Sequence, residues 1–424
     1  MKFSRFGEKF AAATGIVQLM DDLGQGVAGG SEVIMLGGGN PSHIPAVQQI
    51  FRQRMEAVMA NDNEFEQLIG NYGPPQGPPA FIDAIVTLLR ETYGWPITAK
   101  NVALTNGSQT AFFYLFNLLG GTYADGTQKR ILLPLAPEYI GYADAGIEDD
   151  IFVTNKPQFD FLDEHTFKYR VDFESLSIDD NTSAICVSRP TNPTGNVLTN
   201  SEIDKLRQLA RQYEIPLIID NAYGAPFPNI IFNEVTPVWD ENIVLCLSLS
   251  KLGLPGVRTG IIIAHEAIAG AINNMNAVVS LAPTSIGAGM ALDVVRSGEI
   301  IEMSRDLIQP YYMNRAEEAV DWVWEALAGT PFYIHKPEGA FFFWLWFKDI
   351  PITSAELYER LKRRGVLIVP GHYFYPGMEE GWRHQTECIR MNYTQEESKV
   401  REGIRIIGEE VKRAYRESQV LRDR

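Results

Sequence analysis

The run Ser248-Leu249-Ser250-Lys251-Leu252-Gly253-Leu254-Pro255-Gly256-Val257-Arg258 places a lysine between two hydroxyls and a second cation. A lysine amine acts as a nucleophile only after losing its proton, and desolvation beside a positive charge favours that loss. Lys251 near Arg258 is therefore a candidate for covalent chemistry with a carbonyl group. Ser248, Ser250 and Arg258 are natural partners for a phosphate, and the glycines let backbone approach closely. Taken alone, Lys251 also reads as a solvated surface charge.

Other segments carry complementary chemistry. Asp220 closes the apolar run Leu217-Ile218-Ile219, where a carboxylate serves a ligand or merely caps a turn. Ser188-Arg189-Pro190-Thr191-Asn192-Pro193-Thr194-Gly195-Asn196 is a stiff turn whose prolines hold the backbone while Asn192 presents an amide. Arg189 in this turn either meets a substrate carboxylate or braces the loop. Thr105-Asn106-Gly107-Ser108-Gln109 precedes the apolar helix Thr110–Leu119, and free N–H groups there form an anion site or a plain cap. Arg390, in Cys388-Ile389-Arg390-Met391-Asn392-Tyr393, suits a bidentate carboxylate clamp or a structural ion pair. Tyr72, beside a Pro/Gly turn, has a core aromatic as its alternative reading.

These groups must be positioned by a larger frame. The runs Ile131–Leu135, Ala184–Ser188, Leu217–Asp220, Ile243–Leu247 and Gly260–Ala264 are short and apolar. Helical or loop segments separate them, which predicts an α/β fold with a mainly parallel central sheet. Ile203, Leu206 and Leu209 recur at helical spacing over Ser201–Tyr213. In such a sheet ligands sit outside the carboxyl ends of the strands, where Asp220 and Ser248 to Lys251 fall. A change near residues 295–310 leads into Phe341–Trp346, a helix Ser354–Arg364, a strand near Val366–Val369 and a terminal helix. The division expected is an N-terminal arm 1–45, a large domain 46–300 and a smaller α+β domain 301–424, with the arm joining the last.

The chain has 424 residues, 45% hydrophobic and 21% charged, enough for a core that needs no disulfide or metal. With 37 basic against 53 acidic residues it carries −16 and lacks a basic run, so nucleic acid is not an expected partner. No apolar stretch is long enough to cross a bilayer, and Met1–Gly15 lacks a signal-peptide core, so a cytoplasmic protein is expected. Cys186, Cys246 and Cys388 are scattered among apolar neighbours, which suggests buried thiols rather than a zinc site.

The motifs TNGSQ, APEY, NPTG, DNAY, SLSK with Gly256-Val257-Arg258, and IRMNY occur in that order. In this order the chain resembles the fold-type-I, pyridoxal-phosphate-dependent aminotransferases of class I/II, from about Gly37 to the last helix. NGSQTAFFYLFNLLGG, LPLAPEYIGYADAG, SRPTNPTGNV and DNAYGAPFPNIIF are similar to the members that act on valine and pyruvate. The resemblance implies pyridoxal 5′-phosphate bonded through Lys251, which also moves the substrate Cα proton. It implies Asp220 on the pyridine nitrogen, Tyr223 and Asn192 on the phenolic oxygen, and Tyr139 stacked on the ring. Gly107, Ser108, Gln109, Ser248, Ser250 and Arg258 would hold the phosphate, with Tyr72 reaching the phosphate of a neighbouring subunit in a homodimer. Arg390, Asn192 and the Gly39 backbone would face the substrate. The Lys251 to Arg258 step is seven where many relatives have eight, so that loop must be tighter. The implied reaction is ping-pong transfer between an amino acid, valine or alanine, and a 2-oxo acid, pyruvate or 3-methyl-2-oxobutanoate. A C–S lyase, a decarboxylase, or a non-enzymatic regulator built on the same domain would share the cofactor motifs.

Overall fold

A computed structural model describes residues 1–12, 17, 33–378 and 381–422, so most of the expected arm between 13 and 32 lies outside the described residues. An eight-stranded sheet is ordered Val102–Thr105, Gly260–Ile263, Ile243–Ser248, Leu217–Asp220, Thr182–Ser188, Gln128–Leu133 and Gly121–Thr122, with Phe152–Thr154 also pairing Gln128–Leu133. The strands from Ile243–Ser248 through Phe152–Thr154 run parallel, and Gly260–Ile263 is antiparallel to both its neighbours.

Alternation along these strands sorts their side chains onto two apolar faces. Ile219, Leu245, Leu247 and Ile261 join Ile85, Leu89, Ile203 and Leu206 in one core. Ile218, Val244, Cys246 and Ile262 join Ala111, Leu115 and Ile272 in another. The helices Pro79–Tyr93 and Asn200–Gln212 supply the first cover; Ser108–Leu119 and Glu266–Val279 supply the second. Covering both faces is why these strands read as continuous apolar runs rather than alternating ones. Helix Asn200–Gln212 starts on a reciprocal cap: Thr199 Oγ1 accepts from Glu202 N at 3.2 Å, and Glu202 Oε2 accepts from Thr199 N at 2.8 Å.

A second, six-stranded sheet is ordered Val369–Pro370, Cys388–Asn392, Phe342–Phe347, Phe332–His335, Thr166–Arg170 and Gln158–Phe161. Its last two strands come from within residues 46–300, so the second sheet draws on the chain on both sides of residue 300. Gln158–Phe161 is an edge strand without a buried residue, which leaves it no apolar run to announce it. Ile34–Met35 pairs in parallel with Val366–Leu367, and Leu36 O accepts from Asn392 N at 2.7 Å. The segment leading into Gly37-Gly38-Gly39 is thus tied to the C-terminal portion. Among the described residues no helix is long and apolar enough to cross a membrane.

Candidate active site

Leu217–Asp220 and Ile243–Ser248 are neighbouring parallel strands, so their carboxyl ends deliver Asp220 and the Ser248 to Lys251 turn to one crevice. Thr182–Ser188 flanks Asp220 on the other side, with Ser188 opposite it in register. The turn carrying Asn192 leaves that strand.

Lys251 keeps part of its surface open, but its amine end is desolvated. Nζ donates to Gly39 O at 2.7 Å and stands 5.1 Å from the Tyr223 ring centre and 5.6 Å from that of Phe341. Burial, then the charges of Arg390 and Arg258, lower the amine pKa to about 7 against the opposing pull of Asp220. An amine so poised is a nucleophile and a proton carrier near neutrality. Asp220 is buried, which raises its carboxyl pKa; the Tyr142 hydroxyl at 2.7 Å, the Ala222 N–H at 2.9 Å and Lys251 oppose the rise.

Arg390 enters from the second sheet and is 2% exposed. Its NH1 donates to Asn192 Oδ1 at 2.7 Å and its NH2 to Gly37 O at 2.6 Å, while Nε is buried without a partner. Phe342 and Phe374 lie against its guanidinium, at 4.3 and 5.2 Å. An orphaned buried donor on an otherwise paired guanidinium is what a carboxylate ligand would satisfy. Asn392 Nδ2 donates to Gly38 O at 2.8 Å. Three successive carbonyls, Gly37, Gly38 and Gly39, therefore accept from Arg390, Asn392 and Lys251.

The phosphate candidates gather at the start of helix Ser108–Leu119, where the first N–H groups have no intrahelical acceptor. Gly107 has φ +84°, and the Arg258 guanidinium occupies the space a Cβ there would need. Arg258 NH1 lies 3.5 Å from Ser250 Oγ, and Ser248 Oγ accepts from Ser250 N at 3.1 Å. The short step from Lys251 is accommodated by placing Arg258 in the left-handed region at φ +50°. Gln109 joins through its backbone position only, because its side-chain amide donates to Gly141 O at 3.0 Å.

Tyr139 lies beside the crevice, its ring 5.5 Å from that of Tyr142 and perpendicular to it. Tyr223 is buried against Phe341, and its hydroxyl forms no hydrogen bond among the described residues. Tyr72 is the outlier: it is 85% exposed and is not brought to the crevice within one chain. Arg189 braces its loop, donating to Leu198 O at 2.8 Å, Asn200 Oδ1 at 2.7 Å and Thr236 O at 3.3 Å. Sequence reasoning missed Tyr142, Ser188, Glu138 and Asn392, although all four stand inside the quoted motifs.

The donor set fits pyridoxal phosphate: a deprotonatable amine, a carboxylate for a ring nitrogen, and a glycine-lined helix start beside an arginine for the phosphate. A family model described as aminotransferase class I and II matches residues 32–407. A curated valine–pyruvate aminotransferase of Escherichia coli (strain K12) is 52% identical over 418 residues, covering 99% of this chain and 100% of the relative. The crystal structure of a valine–pyruvate aminotransferase from Salmonella typhimurium LT2 superposes with a TM-score of 0.87 at 51% identity, covering 95% and 100% of the two chains. A solved structure from Psychrobacter arcticum 273-4 gives a TM-score of 0.95 at 50% identity, covering 98% and 99%. With its residues in this arrangement and its sequence matched along nearly its whole length, the chain belongs to the class I and II aminotransferases.

Proposed function

We propose that this enzyme is a valine–pyruvate aminotransferase working with pyridoxal 5′-phosphate. The observation that carries the transaminase reading is the convergence of Lys251, Asp220 and Arg390 on one crevice roofed by Gly37 to Gly39. The choice of valine and pyruvate rests on the 52% identity over the full length of the E. coli relative. When bound, the cofactor supplies an aldehyde that exchanges amino groups and a protonated ring that withdraws electrons from the substrate Cα.

Lys251 would hold the cofactor through its amine, and the same amine, with a pKa near neutrality, would serve to hold or move a proton at the substrate Cα. Gly39 O holds its amine nearby by the 2.7 Å hydrogen bond. Asp220 would hold the ring nitrogen and favour its protonated form. Asn192 Nδ2 and the Tyr223 hydroxyl would donate to the phenolic oxygen, and the Tyr139 ring would cover the pyridine. Backbone N–H groups of Gly107, Ser108 and Gln109, with Ser248, Ser250 and Arg258, take the phosphate. Arg390 orients the substrate carboxylate, which takes up its free Nε, while Asn192 Oδ1 steadies the guanidinium.

In this reading the enzyme is a homodimer, and exposed Tyr72 completes the phosphate site of its partner. A cytoplasmic setting suits its three buried, unpaired thiols. The proposed division is an arm 1–45, a large domain 46–300 and a smaller domain 301–424, with the second sheet bringing Arg390 to the crevice. The test is a half-reaction: valine, alanine, aspartate or tyrosine is added separately while the cofactor absorption is followed. Rapid conversion by valine and alanine is expected, and a response to aspartate alone overturns the assignment.

A further inference from the structure

Asp220 is connected to a second buried carboxyl group through two hydroxyls. Tyr142 donates to Asp220 Oδ2 at 2.7 Å and lies 3.4 Å from Ser188 Oγ. Ser188 Oγ in turn hydrogen-bonds Glu138 Oε2, and Ser188 N donates to Glu138 Oε1 at 3.0 Å. Glu138, Tyr142 and Ser188 are 1, 0 and 3% exposed. The assigned roles leave Glu138 and both hydroxyls unused, yet an acid sealed in a core is costly unless it is neutral or well paired.

Among the described residues no cation forms an ion pair with Glu138. Burial pushes its carboxyl up to about 8; Ser188 and the Tyr139 N–H oppose the rise, and the charge of Asp220 adds to it. The other titratable groups facing it are the Tyr142 phenol and the Cys186 thiol, both driven towards their neutral forms by burial. Asp220 also accepts from two donors, but it has in addition the Lys251 charge, which holds its carboxyl down. Of two carboxyls within one hydrogen-bonded set, the one without a neighbouring cation retains the proton.

Proton counting sets the direction of the chain. Ser188 and Tyr142 each have one hydroxyl proton. An ionised Glu138 would draw the Ser188 proton to itself and leave the Tyr142 oxygen without a donor. A protonated Glu138 donates to Ser188, which frees Ser188 to donate to Tyr142, and Tyr142 donates to Asp220. We propose that Glu138 is a positioning residue that carries a proton and orients the Glu138–Ser188–Tyr142 hydrogen bonds towards Asp220, leaving Asp220 as the charged carboxylate. The inference rests on the reading of Asp220 as the partner of the ring nitrogen. No covalent bond is made or broken; the chain sets which acid is ionised and, through it, the proton on the ring.

Two readouts other than turnover test this at neutral pH. Infrared difference spectra between wild type and Glu138→Gln, with and without cofactor, should lose the carbonyl stretch of a neutral carboxylic acid. Loss of a carboxylate band instead overturns the proposal. With cofactor labelled at the ring nitrogen, nitrogen NMR should show a protonated ring in Glu138→Gln, whose amide still donates to Ser188. Glu138→Leu removes the donor and should shift that signal towards the unprotonated form, with kcat falling about ten-fold and KM little changed. Equal shifts in both variants, or none in either, overturn the proposal. If Glu138→Leu does not fold, the infrared result decides alone. Asp220→Asn separates the two ideas: a ring-nitrogen signal unmoved there sinks the Asp220 assignment, while the infrared band of the cofactor-free enzyme still reports the Glu138 proton.

Discussion

Single side chains in the crevice are tuned by what surrounds them rather than by their type. Lys251 is half deprotonated at about pH 7, whereas an exposed lysine would hold its proton to beyond pH 10. The rate at which cofactor-free enzyme captures pyridoxal phosphate should therefore climb through about pH 7 and then level off. A rate still climbing steeply at pH 9 to 10, read by stopped-flow absorbance, would show an untuned amine. Lys251→Ala should abolish turnover, and appreciable transamination by the variant would contradict its role. Gly107→Ala imposes a side chain at φ +84° where the Arg258 guanidinium packs. Strain of about 1–3 kcal/mol should weaken cofactor binding roughly ten-fold or more by equilibrium dialysis. An unchanged dissociation constant would place the phosphate elsewhere.

Elements position these groups through contacts far from the chemistry. The turn bearing Asn192 is clamped where it leads into helix Asn200–Gln212: Lys168 donates to Val197 O at 2.9 Å, and Glu338 Oε2 accepts from Val197 N at 3.1 Å and pairs with Lys168. Both side chains are 4% exposed, so the pair is buried between a loop of the first sheet and the second sheet. Lys168→Met leaves the buried Glu338 carboxylate with only the half-exposed Lys336 at 3.7 Å and should cost about 3 kcal/mol in urea unfolding. Replacing both, as Lys168→Met with Glu338→Leu, should cost less than the single change, because neither charge is then stranded. A double variant as unstable as the single one would mean that the contacts to Val197, not the charge balance, hold the loop. Arg189 braces the other side of that turn, so its charge is spent on loop carbonyls and Asn200 rather than offered to a substrate.

At the scale of the whole molecule, the second sheet encloses two neutral histidines. His335 accepts from Tyr169 N at 3.2 Å, His384 pairs with the Tyr169 hydroxyl at 2.5 Å, and burial drops both to about 3 from 6.5. Between those values the unfolded chain binds protons the folded one refuses, so stability falls as pH drops below about 6.5. His384→Gln should flatten that acid limb in thermal unfolding between pH 4 and 6.5, and an unchanged slope would assign it to other groups. The sequence by itself determined the central strands, because strands buried on both faces leave contiguous apolar runs. It also determined the chemistry at their carboxyl ends, because Asp220, Asn192 and Lys251 stand within a few residues of such runs. The helices expected over Thr110–Leu119 and Ser201–Tyr213 were legible from their apolar spacing, and they begin at Ser108 and Asn200. Only the tertiary structure decided what has no local signal. It took Gln158–Arg170 into the second sheet, set the glycine run against Arg390 some 350 positions away, and spent Arg189 on its own loop. It also joined Glu138 to Asp220 through Ser188 and Tyr142. Each of these pairings is made by strand order and packing, which bring together residues whose types announce a function but whose neighbours in the chain do not announce a partner.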